Sequence, residues 1–148
     1  MPNSMDQLNQ HISKNKEQYL SELFNLLRIP SVSADPGYKK DVEKTAEFIR
    51  DKFISAGAEN VKICETAGHP IVYADKIFDA SLPTILVYGH YDVQPAEPFE
   101  LWDTAPFEPE IRITEKHPKG AIFARGACDD KGQMYMHLKA FEAMMATD

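Results

Sequence analysis

Residues 84–95 read TILVYGHYDVQP. It opens as an apolar run, Thr84 to Tyr88, whose length and Ile/Val content predict a strand buried on both faces. Pro95 has no amide hydrogen to give to a ladder, so the strand ends near it. His90 and Asp92 then lie at the carboxyl edge of a sheet, where open α/β folds bind ligands. Residues two apart on an extended chain share a side, so the two would project together. A carboxylate beside an imidazole fixes the ring tautomer and raises the basicity of the other nitrogen, the usual setting of a metal-binding histidine. The competing reading is a histidine and an aspartate in a surface turn.

Working outward, residues 121–133 read AIFARGACDDKGQ: a short apolar strand, a turn containing Gly126, then paired aspartates before a helical pattern. Asp130 is placed to cap that helix, and Gln133 three residues on would complete a capping box. Asp129 falls at a strand-to-helix junction, and a cation is a common reason for a carboxylate there. The alternative is that both aspartates serve the cap and the helix dipole. One suffices for that, so the cap accounts for Asp130 better than for Asp129.

Together GHYDVQP and ARGACDDKG resemble the two N-terminal signature segments of one zinc hydrolase family, peptidase family M20. It includes carnosinases, cytosolic nonspecific dipeptidases, carboxypeptidase G, aminoacylase, acetylornithine deacetylase and succinyl-diaminopimelate desuccinylase. The flanks PAEPFELWDTAPFEPEIR and FNLLRIPSVS resemble its dipeptidase branch, and the likeness runs from about Leu20 to the end of the chain.

The resemblance implies that His90 is a ligand of one metal, that Asp92 orients its ring, and that Asp129 bridges two metals. The ions would be zinc, with manganese or cobalt as substitutes. It makes Asp129–Asp130 a candidate cis peptide. The implied fold is α/β, an incomplete three-layer sandwich with a mixed sheet between helices. Residues 1–148 would be the N-terminal part of a metallopeptidase catalytic domain, without its C-terminal part or lid domain. The family's glutamate pair, a further acidic ligand and a late histidine lie beyond the equivalent of Asp148. The implied function is metal-dependent hydrolysis of dipeptides or short peptides by the whole protein, the fragment being inactive alone. An amino-acid N-deacylase of the same family and a non-catalytic binding module are the other two readings. The resemblance also implies a homodimer for the full-length protein. Open strand edges would let the fragment self-associate.

Bulk properties narrow the partners. A chain of 148 residues, 43% of them apolar, suits one domain with a core. A net charge of −7 and a pI near 5.2 argue against nucleic acid, and no Lys/Arg cluster suggests a membrane surface. No run approaches about 18 apolar residues. MPNSMDQLNQH lacks the basic start and apolar stretch of a signal peptide. Cys64 and Cys128 read as free thiols in a reducing cytoplasm rather than as a scaffold or as soft metal ligands.

The remaining elements follow from period and punctuation. Ser4 and Gln7 suit a capping box for a helix from about Met5 to Leu27, striped by Ile12, Tyr19, Leu23 and Leu27 and ended by Pro30. His11, near its start, is expected in solvent. Ser31 and Ser33 sit in a connector with no Gly-x-Ser-x-Gly around them, so neither reads as a nucleophile. A second helix runs from about Lys39 to Ala56, with Val42, Ala46, Ile49 and Phe53 on its buried face and Gly57 after it. Strands are expected at Val61–Ile63 and Ile71–Ala74, with His69 in the turn between them. Phe99, Trp102 and Phe107 anchor a long proline-rich loop. A hairpin spans Ile111 to Ala124 with His117 at its tip. A last helix, about Lys131 to Ala146, buries Met134, Leu138, Phe141 and Met145, with His137 beside that stripe.

Overall fold

The computed structural model describes residues 4–147. Three helices carry most of the order: α1 at Ser4–Leu27, α2 at Lys39–Ser55 and α3 at Lys131–Thr147. Two antiparallel pairs accompany them, β1 (Glu59–Cys64) with β2 (Ile71–Asp75), and β3 (Glu110–Arg112) with β4 (Ala121–Phe123). One parallel bridge joins Val32 to Val93. The α/β class stands, with small open sheets lying between helices.

The three helices fall where their 3.6-residue periods put them. On α2, Val42, Ala46 and Ile49 are buried, and Gly57 takes φ 85° just after the helix, a conformation that suits a residue without Cβ. On α1 the buried end is Leu26 and Leu27, while Ile12 is exposed. The core joins Leu26, Ile49, Met134, Tyr135 and Leu138, with Leu23, Phe48, Phe53, Val72 and Tyr91 packed around it. On α3, Phe141 and Met145 are only half-buried, and His137 is exposed. The side chain of Ser4, and with it the Ser4–Gln7 capping box, lies outside the described residues.

Two expectations about the ends of elements are corrected. His11 is not left to solvent: its ring is half-buried and its Nε2 lies 3.1 Å from the Tyr19 hydroxyl, two turns on. The Asp130–Gln133 capping box does not form. Asp130 turns its carboxylate to the backbone amide of His90, and the Gln133 amide reaches back to the Cys128 carbonyl at 2.6 Å. A carboxylate freed from the cap can serve a second segment of chain, which is what Asp130 does.

The larger correction concerns residues 84–88. They are not in a ladder, and Ile85, Leu86, Val87 and Tyr88 are 84%, 90%, 56% and 82% exposed. An apolar run becomes a buried strand only when neighbouring strands accept its amides and carbonyls. None of the described strands lies beside it. The proline-rich loop is pinned as expected at Trp102, whose indole N–H donates to the Ala96 carbonyl at 2.8 Å. Phe99 and Phe107 line a cavity of about 240 Å³ with Val32, Asp35, Tyr38 and Pro95.

Among the described residues no helix is long and apolar enough to cross a membrane. Cys64 and Cys128 are free, and Cys128 is exposed.

Candidate active site

The site forms where residues 89–93 lie against the turn at 126–134. Two glycines permit the approach. A Cβ on Gly89 would sit 2.9 Å from Cβ of Met134, and one on Gly126 would sit 2.8 Å from Cγ1 of Val93. Gly126 also takes φ 82°. Asp130 then accepts the His90 amide at 3.1 Å. The Asp129–Asp130 peptide is cis, as the resemblance implied.

His90 and Asp92 do project together. Nδ1 of His90 lies 3.1 Å from Oδ1 of Asp92 and 3.3 Å from the Asp92 carbonyl. Both neighbours are acceptors, so Nδ1 carries a proton, and when the ring is neutral Nε2 is left with its lone pair. Nε2 lies 3.1 Å from Oδ1 of Asp129. Burial works to lower the His90 pKa, but the Asp92 carbonyl and carboxylate, and the charge of Asp130, raise it above the ordinary value.

Two acceptor atoms this close need a positive charge between them. A proton serves, and so would a metal ion: two donors about 2.0–2.2 Å from one zinc sit roughly 3 Å apart or a little more. Two donors do not make a site, however, since zinc takes at least three protein ligands. Among the described residues no group of three or more His, Cys, Asp or Glu side chains is arranged to hold a metal ion. The reason is visible in the hydrogen bonds. Asp92 is turned to the ring and to Ser33, and Asp130 to a backbone amide, so only His90 and Asp129 remain as donors. The expectation of metal-dependent hydrolysis of dipeptides, with this chain carrying one metal ligand, its orienting aspartate and a bridging aspartate, is therefore overturned, because no metal-binding cluster forms among the described residues. The described residues do not hold a metal by themselves, and no chemical step is derived through one.

The other histidines stay out of the corner. The ring of His69 bonds the Ser33 carbonyl through Nε2 at 2.9 Å, and His117 is exposed with its ring 6.0 Å from that of Phe123. Three residues matter here that the sequence reading gave no role at this corner. Asp130 anchors His90, and Ser33 donates its hydroxyl to Oδ2 of Asp92. Lys131 is fully buried, with Nζ donating to the carbonyls of Leu26 at 3.0 Å and Ile29 at 2.6 Å. Only the adjacency of Asp130 and Lys131 to Asp129 hinted at any of this.

The profile of Peptidase family M20/M25/M40 matches residues 86–148, the part that holds this corner. The chain is 35% identical to the Cys-Gly metallodipeptidase dug1 of Schizosaccharomyces pombe, over 97% of this chain and 31% of that protein. Among solved structures it resembles the dipeptidase Dug1p of Saccharomyces cerevisiae, with a TM-score of 0.83 and 32% identity over 99% of this chain and 32% of that one. It also shares the fold of human carnosine dipeptidase 1, with a TM-score of 0.81 at 23% identity over 98% of this chain and 32% of that one. The chain thus spans about a third of the length of the relatives it matches.

Proposed function

The chain belongs to peptidase family M20/M25/M40, and from that premise we propose that it is the front part of the catalytic unit of a peptidase, a hydrolase of peptide-type amide bonds. One observation carries the reading: Nε2 of His90 and Oδ1 of Asp129, 39 positions apart in the chain (129 − 90 = 39), face each other at 3.1 Å with Asp92 behind the ring. In this reading His90, Asp92 and Asp129 form one wall of the active site. The remaining wall belongs to the two-thirds of the relatives' length that this chain does not span.

A dipeptide or short peptide is the substrate class, supported by the names of the relatives. Zinc is the cofactor this reading carries, with manganese or cobalt as stand-ins, because imidazole and carboxylate are donor types zinc takes. Its other donors would come from outside the described residues. Within this chain, His90 keeps a lone pair at Nε2, Asp92 keeps the proton at Nδ1, and Asp129 holds negative charge against the ring. Asp130 fixes the backbone that carries the ring.

The protein at the full length of its relatives, assayed on Cys-Gly and β-Ala-His, is expected to release free amino acids. The 148-residue chain alone is expected to release none. His90→Ala and Asp129→Ala should abolish turnover, and Asp92→Ala should lower it by about 10- to 100-fold. Parental activity in Asp129→Ala would overturn the reading.

A further inference from the structure

Asp92 is held from both sides. Its Oδ1 faces Nδ1 of His90 at 3.1 Å, and its Oδ2 accepts the hydroxyl of Ser33. We propose that Ser33 is a positioning residue: its hydroxyl locks the Asp92 carboxylate, which keeps the proton on Nδ1 of His90 and the lone pair of Nε2 turned to Asp129.

The torsion that swings a carboxylate is broad and roughly two-fold, so one bond to the ring leaves Asp92 free to rock. A donor on the second oxygen removes that freedom. Ser33 can act this way because it is itself held. The Val93 amide donates to the Ser31 carbonyl at 2.9 Å, and the Ser31 hydroxyl donates to the Tyr91 carbonyl at 2.7 Å. Val32 bridges Val93 in parallel, so residues 31–33 run in register beside residues 91–93. On its far side the Ser33 carbonyl accepts Nε2–H of His69 at 2.9 Å. The same loop is tied to the Asp129 turn, because Lys131 donates to the Ile29 carbonyl. Residues 29–33 therefore brace both halves of the corner, and Ser33 is the point at which the brace touches the working carboxylate. Its hydroxyl proton is directed to Asp92, which leaves it no part as a nucleophile.

The effect on the ring stands on geometry alone; its consequence for hydrolysis rests on the function proposed above. The test is tautomer-sensitive long-range ¹H–¹⁵N NMR on the full chain labelled with ¹⁵N-histidine, treated with chelator and held at a pH where His90 is neutral. The parent is expected to show the Nδ1–H form. Ser33→Ala and Ser33→Val should lower the ratio of Nδ1–H to Nε2–H about threefold or more, and Ser33→Thr should keep the parental ratio. Threonine and valine differ by hydroxyl against methyl, so their contrast survives any packing change that both introduce, and circular dichroism checks that each is folded. A parental ratio in Ser33→Val would overturn the proposal. In the full-length protein, kcat should fall in Ser33→Ala with KM little changed and return in Ser33→Thr. A parent without hydrolase activity would overturn the functional reading alone, and an unchanged ratio would overturn the role of Ser33 alone.

Discussion

At the scale of single residues, Lys131 is the least expected feature. Lysine is almost never fully buried, yet this one has no exposed surface. Burial pushes its pKa down to about 7, although the charges of Asp41 and Asp92 work to raise it. Its ammonium caps the end of α1 by bonding the carbonyls of Leu26 and Ile29. Lys131→Met keeps the stem and leaves both carbonyls without that donor. An unsatisfied buried carbonyl costs about 1–3 kcal/mol, more than is regained by sparing an ammonium whose proton is already loosely held. Urea unfolding is expected to show a loss of about 2–4 kcal/mol for Lys131→Met; parental stability would mean that water takes the place of the amine. The convergence of His90, Asp92 and Asp129 was legible in the sequence because an apolar run followed by His-x-Asp, and a second aspartate at a helix start, are patterns with a chemical reason. Lys131, Ser33 and Asp130 were not, because each acts on a segment 40 to 105 positions away (130 − 90 = 40, 92 − 33 = 59, 131 − 26 = 105), and nothing local signals such a partner.

At the scale of elements, Glu22 ties α1 to both other helices. Its carboxylate lies 2.9 Å from the Lys52 ammonium on α2 and 2.6 Å from that of Lys139 on α3, and it accepts the Tyr135 hydroxyl at 3.0 Å. Burial alone would raise its pKa, but hydrogen bonds from Gln18, Lys139, Lys52 and Tyr135 hold it at about 2 against an ordinary 4.5. A depressed carboxylate stabilises the fold fully above its unfolded pKa, and that contribution is lost as pH falls through the folded value. The window is therefore pH 4.5 down to 2, and the amount is on the order of 3 kcal/mol. Glu22→Gln should be less stable than the parent at pH 6 and should lose less between pH 6 and pH 3, read from urea midpoints. Equal losses in both proteins would put the acid sensitivity elsewhere. Helices were the most legible elements, since the 3.6-residue stripe and Gly57 belong to the segment itself. Residues 84–88 depart from the expected strand for the opposite reason: composition says that a run can be a buried strand, but only its neighbours make it one.

At the scale of the whole molecule, that unpaired run dominates the surface. Ile85, Leu86 and Tyr88 each expose more than four-fifths of their area, and the backbone of 84–88 offers its amides and carbonyls to any extended segment that arrives. In a protein of the relatives' full length, sheet neighbours from the rest of the polypeptide would cover it. The 148-residue chain alone has only other copies of itself to meet the same need. Its net charge of −7 opposes association, but the Debye length is about 8 Å at physiological salt, so that repulsion is screened while the apolar contact is not. The isolated chain is therefore expected to self-associate in a concentration-dependent way. Ile85→Lys with Leu86→Lys places a charge on each face of the run, so that pairing would bury at least one of them. Sedimentation velocity should show the double variant shifted to monomer with its helix content unchanged by circular dichroism. An oligomer of the same size in the double variant would place the contact on another surface, with exposed Ile111 and Ile113 of the second hairpin the next to be charged.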